Sequence, residues 1–85
     1  MTRTPQGVTV RTFIRALQED GFVLKRSRGS HRVFLQPDGR LVVVAYHRLG
    51  DGFPVGTLRG MIADAHWTDD DLERLPYLLT AEFGE

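Results

Sequence analysis

Residues 22–46 read FVLKRSRGSHRVFLQPDGRLVVVAY. Three short runs rich in valine, leucine and phenylalanine are punctuated by two turn signals. Phe22-Val23-Leu24-Lys25-Arg26 is the first run, and its basic end leads into a connector, Arg28-Gly29-Ser30. His31 to Gln36 is the second run. Arg40 to Tyr46 is the third, dense in β-branched valine, which suits a pleated strand. Pro37-Asp38-Gly39 separates the last two. Proline presets its own φ there and glycine accepts a positive one. Connections this short make all three strands antiparallel neighbours, a meander.

Side chains alternate across a strand, so His31, Val33 and Leu35 share one face and Arg32, Phe34 and Gln36 the other. Phe34 is assigned to the core, which leaves His31 on the open face. Leu41-Val42-Val43-Val44-Ala45 is apolar on both faces, whereas a half-exposed strand alternates. The second face is therefore expected to be covered by the C-terminal segment, a second copy or a partner.

Upstream, residues 1–8 are a polar lead-in and Thr9 is a good N-cap. Val10, Phe13, Ile14 and Leu17 follow at helical spacing, and Gly21 stops the helix, predicted over about residues 10–20. Downstream, His47 to Pro54 is a loop. Gly56-Thr57 opens a second helix with Leu58, Met61, Ile62 and Ala65 on one stripe. His66 caps its C-terminus, and Trp67 after it is core. Thr68 with Asp71 resembles a capping box, and Asp69, Asp70 and Asp71 suit a helix N-terminus. A short helix carrying Leu72 and Leu75 is stopped by Pro76, and the tail packs through Leu78 and Phe83 or frays. The fold class is α+β. The order is α-β-β-β-α, a three-stranded antiparallel sheet with two helices on one face and a short C-terminal helix. Double-stranded-RNA-binding domains have the same element order.

Eighty-five residues make one domain, 1–85. There is no cysteine, so disulfides and thiolate ligands are excluded, which fits a reducing cytoplasm. No apolar run approaches about 20 residues, so neither a membrane span nor a signal peptide is expected. The zero net charge is asymmetric. Residues 1–48 hold nine basic residues against three acids, and residues 49–85 hold two against eight. A basic half is a polyanion footprint; the plainer account is that the two halves neutralise each other.

Lys25, Arg26, Arg28 and Arg32 surround Gly29-Ser30-His31. Imidazole is the side chain whose unperturbed pKa lets it exchange a proton near neutrality. Arginine forks bind phosphate in two-point geometry. A base beside a phosphate clamp suggests work on an RNA phosphodiester. His31 is assigned as general base and Lys25, Arg26, Arg28 and Arg32 as phosphate-side residues. The N–H groups of Gly29 and Ser30 serve as further donors. The plainer account is a solvated hairpin turn. His47 is either a second participant or a polar strand end. Three scattered histidines without cysteine do not make a zinc site, so no metal or cofactor is expected. Phe53 is either a base-stacking ring or core, and base stacking is the alternative to the core reading of Trp67.

At these residues the chain resembles the HicA family of toxins from bacterial toxin–antitoxin pairs. The resemblance spans residues 9–67, with 68–85 as an extension. It rests on Leu17 to Phe22, on Arg26 to Phe34 with its core Gly29-Ser30-His31, on Pro37-Asp38-Gly39, on the valine strand ending at His47, and on Gly56-Thr57-Leu58-Arg59. It implies a small ribonuclease that cuts messenger RNA, with His31 as the active histidine and a HicB-like antitoxin covering the active surface. The chain departs from the family pattern in Ala45-Tyr46-His47, in a longer loop after it, and in Ala65-His66-Trp67 where members have Ala-Gly and an aliphatic. The alternative is a non-catalytic RNA-binding module, or an antitoxin-docking module, on the same fold.

Overall fold

A computed structural model describes residues 7–74. The elements are α1 (Val10–Glu19), β1 (Val23–Arg28), β2 (His31–Leu35), β3 (Leu41–Ala45), α2 (Val55–Asp64) and α3 (Asp69–Arg74). The sheet order is β1-β2-β3 and both pairings are antiparallel. Helices α1 and α2 cover one face, as the α+β reading requires. Val10, Phe13, Ala16 and Leu17 of α1 meet Leu58, Met61 and Ile62 of α2 over Phe34, Val42 and Val44. Trp67 and Leu72 close the same core.

The loop between β3 and α2 is fixed to the start of α1. The first helical N–H groups have no intrahelical acceptor. Here Val10 N–H donates to the Asp51 carbonyl at 2.8 Å and Arg11 N–H to the Leu49 carbonyl at 2.9 Å. Thr12 N–H donates to Thr9 Oγ1, and Thr9 N–H to Thr12 Oγ1, a reciprocal box with threonine in both places. The loop's length thus has a local purpose, which its near-neutral sequence did not reveal.

Both long helices end in the same motif. After α1, Gly21 N–H donates to the Gln18 carbonyl and Phe22 N–H to the Leu17 carbonyl. After α2, His66 N–H donates to the Ala63 carbonyl and Trp67 N–H to the Ile62 carbonyl. The first residue past such an end takes a left-handed conformation that favours glycine. Gly21 has φ +92°, and a side chain there would meet Gln36 Nε2 at 2.8 Å. The equivalent residue of α2 is His66, at φ +58°. The capping role expected of His66 is therefore a backbone role. We expect His66→Gly to stabilise the protein by about 0.5–1 kcal/mol, because an L-residue is strained in this region and glycine is not. Reversible denaturant unfolding checks it; an unchanged or lower stability would contradict it.

At the end of the sheet remote from the Gly29-Ser30 turn, Asp20 is the hub of a polar clamp. Its Oδ2 accepts from Arg40 Nη1 at 3.0 Å and from Trp67 Nε1 at 2.9 Å. Arg40 Nη1 also donates to the Ala65 carbonyl at 2.7 Å, and its Nε donates to Asp38. Arg74 Nη2 stands 3.6 Å from Asp20 Oδ1. These bonds join α1, the β2–β3 turn, the end of α2 and α3. The Asp38 carboxyl is held below the usual carboxylate range, first by the Arg40 backbone N–H.

Helix α3 starts as its sequence suggested. Thr68 N–H donates to Asp71 Oδ2 at 2.9 Å and Asp71 N–H returns to Thr68 Oγ1. Arg74 bonds Asp71 at 2.8 Å, and this bond above all lowers the Asp71 carboxyl pKa. The expected roles of Leu75, Pro76, Leu78 and Phe83 lie outside the described residues. No helix among the described residues is long and apolar enough to cross a membrane.

Candidate active site

The connector between β1 and β2 is shorter than its sequence suggested. β1 runs on through Arg28, which pairs directly with His31, so only Gly29 and Ser30 form the turn. Gly29 has φ +57°, at the first central position of a two-residue hairpin, where a left-handed φ calls for glycine. The reading of Arg28 as connector is thus corrected. Two-residue closure makes it the last residue of the strand.

His31 is the first residue of the middle strand and is exposed. It pairs with Arg28 on one side and with Ala45 on the other. Directly paired residues in an antiparallel sheet have Cβ atoms about 4.5–5.5 Å apart. The imidazole therefore has a guanidinium-bearing neighbour on β1 and a methyl on β3. Because Ala45 is small, the ring is open to solvent from that side. His31 shares its face with Val33 and Leu35, opposite the buried Phe34, as the alternation predicted.

A register shift between Leu24 and Arg26 leaves Lys25 as an extra residue, a β-bulge. Arg26 pairs with Val33, so it stands on the face of His31. Lys25 and Arg26 together line a shallow hollow with Val33, Leu35 and Leu41. Strict alternation would have sent one of these two cations to the helix side. The bulge brings both to the open face, where Arg28 also stands. None of Lys25, Arg26 and Arg28 has an acidic partner among the described residues. The neutralisation of one half of the chain by the other does not reach them.

Arg32 is set apart from these three cations. It pairs with Val44, on the helix-covered face. Its guanidinium lies 5.0 Å from the Tyr46 ring centroid, and Nη1 donates to the Gly29 carbonyl at 2.6 Å. Among the described residues, no hydrogen bond engages the Ser30 N–H, while the Ser30 carbonyl accepts from Tyr46 N–H at 2.9 Å. The structure thus joins His31, Lys25, Arg26, Arg28 and the turn Gly29-Ser30 on one face, with Arg32 behind the turn.

The rest of that face is apolar. Val23, Leu41 and Val43 are 55%, 48% and 40% exposed. Nothing among the described residues covers them, although the valine strand implied a cover. His47 is exposed, two residues beyond Ala45. Trp67 is buried against Phe13 and Phe22, and Phe53 is half-buried against Phe13, so both rings are core. Tyr46 as the platform for Arg32 was missed. Its signal was its place two residues past Val44 on the same face.

Residues 10–67 match the family model described as HicA toxin of bacterial toxin-antitoxin. No curated protein matches the chain.

Proposed function

The chain belongs to the HicA toxin family of bacterial toxin–antitoxin systems, and we propose that it acts as a metal-independent endoribonuclease on messenger RNA with His31 as general base. RNA carries its own nucleophile. His31 takes the proton of a ribose 2′-OH, the 2′-oxygen bonds to the adjacent phosphorus, and the P–O5′ bond breaks. The leaving 5′-oxygen takes a proton from water, and a 2′,3′-cyclic phosphate remains. Base catalysis of this kind is worth about 10²–10⁴-fold. Lys25, Arg26 and Arg28 hold the non-bridging oxygens, and the turn amides of Gly29 and Ser30 supply uncharged donors.

One observation carries this reading. An exposed histidine is strand-paired with Arg28 on a face where, among the described residues, Lys25 and Arg26 also lack acidic partners. Cations left unneutralised around a base suit a phosphodiester. The reaction runs in the cytoplasm, where messenger RNA is.

The exposed strip of Val23, Leu41 and Val43 beside the cations supports a second role for the same face, docking of a HicB-like antitoxin. An antitoxin seated there would cover His31. The non-catalytic module is separated from the nuclease by replacing Arg28 and His31 separately, as Arg28→Gln and His31→Ala. In a nuclease or a binder, Arg28→Gln weakens affinity for single-stranded RNA and lowers the salt dependence of binding by about one phosphate contact. Only in the nuclease does cleavage by the bound fraction then depend on His31. Unchanged affinity and salt dependence in Arg28→Gln would remove the phosphate role.

A further inference from the structure

Arg32 belongs to the basic run but faces away from the RNA side proposed above. We propose that Arg32 is a positioning residue, which turns the Ser30 N–H onto the face of His31 and holds it there as a phosphate donor. The inference rests on the ribonuclease reading for its catalytic consequence, and on geometry alone for the orientation.

The peptide bond between Gly29 and Ser30 is planar and trans, so its carbonyl and its N–H point in opposite directions. Arg32 leaves the sheet on the helix side, where its strand partner Val44 is buried. From there Nη1 donates to the Gly29 carbonyl at 2.6 Å. Pinning that oxygen toward the helix side directs the Ser30 N–H toward the other side, where Arg28 and His31 stand. The Ser30 N–H has no protein acceptor among the described residues, so it is free for a ligand. A guanidinium on the carbonyl also polarises the peptide and strengthens its N–H as a donor.

Two contacts hold the brace in place. The Arg32 guanidinium rests over the Tyr46 ring at 5.0 Å. Tyr46 is itself packed against the core, and its N–H bonds the Ser30 carbonyl. The turn is thus fixed at both of its carbonyls. A two-residue turn with glycine at its first position would otherwise be free to rotate this peptide, and the donor would be lost from the face. Lysine cannot reproduce the brace, because it lacks a planar fork to lie on the ring while bonding the carbonyl.

The test uses Arg32→Met, Arg32→Lys and Tyr46→Leu in the full chain. A short single-stranded RNA is the substrate, and its all-2′-deoxy analogue is the uncleavable probe. In the parent protein, amide NMR should show the Ser30 N–H moving downfield as the deoxy analogue is added. In Arg32→Met and Arg32→Lys that shift should be lost, while affinity for the analogue changes less than about threefold. In the cleavage assay kcat should fall about 10–100-fold with KM nearly unchanged, as for the removal of a preorganised donor. Tyr46→Leu should lose part of the same shift. Two results would overturn the proposal: a Ser30 shift that survives Arg32→Met, or a rise in KM at constant kcat, which would make Arg32 a direct phosphate contact. A parent protein that cuts no RNA would instead overturn the nuclease reading, and the amide measurement would still decide the orientation. Arg32 is outside the core cluster; Arg32→Lys, which keeps the charge, gives the second reading if Arg32→Met does not fold.

Discussion

His31→Ala is expected to abolish RNA cleavage, by about 10²–10⁴-fold, while thermal stability and RNA affinity stay close to the parent's. Three observations set this expectation. The histidine is exposed, so its removal opens no cavity in the core. It is the first residue of β2, and alanine keeps the backbone bonds that pair it with Arg28 and Ala45. Lys25, Arg26 and Arg28, the cations proposed to hold phosphate, are untouched. The substitution should therefore separate chemistry from binding. In cells, induction of the parent should arrest growth and induction of His31→Ala should not. A folded His31→Ala protein that cleaves at the parent rate would show that another group takes the proton. His47, exposed two residues past Ala45, would then be the next residue to replace.

A large loss of stability is expected from Asp20→Ala, about 3 kcal/mol, or roughly 15 °C in Tm for a domain of this size. Asp20 has a side chain only 13% exposed and accepts from Arg40 and from the indole of Trp67. Alanine leaves the Trp67 N–H and one Arg40 N–H without their acceptor in a half-buried place, and each such group costs about 1–3 kcal/mol. The effect should reach distant elements, because the same carboxylate joins the end of α1 to the β2–β3 turn and to α3. Asp20→Asn keeps one acceptor oxygen and should lose about half as much. Denaturant unfolding of the two variants decides the matter. A loss below about 1 kcal/mol in Asp20→Ala would mean that the clamp is a solvated surface network.

The sequence signals that held were local and periodic. Thr9 with Val10, Phe13 and Leu17 marked α1, and the stripe Leu58, Met61 and Ile62 marked α2. Alternation along β2 put His31 on the open face and Phe34 in the core. Bonds between residues far apart in the chain left no periodic trace. The carbonyls of Leu49 and Asp51 on the first turn of α1 are one case, and Asp20 with Trp67 is another. A lone tryptophan expected in the core did carry a hint, since a buried indole N–H needs an acceptor.

The site itself was half legible. Gly29-Ser30-His31 and its neighbouring cations were visible as a run, but a run has no faces. The bulge at Lys25 adds one residue without disturbing the hydropathy pattern, and so it moved a cation unseen. Arg32 was grouped with His31 by adjacency in sequence, whereas adjacent strand residues point to opposite faces. The same alternation that placed Phe34 in the core would have set Arg32 behind the turn.

In the proposed reaction His31 draws the proton from a ribose 2′-OH. The most direct measurement presents the purified protein, in the presence of EDTA, with a short RNA containing its cleavage site. A second RNA carries a single 2′-deoxynucleotide 5′ to the scissile phosphate. The expected result is a 2′,3′-cyclic phosphate end from the first RNA, no cut at that site in the second, and no cyclic product from His31→Ala. Cleavage of the deoxy-substituted site, or activity that disappears with EDTA, would contradict it.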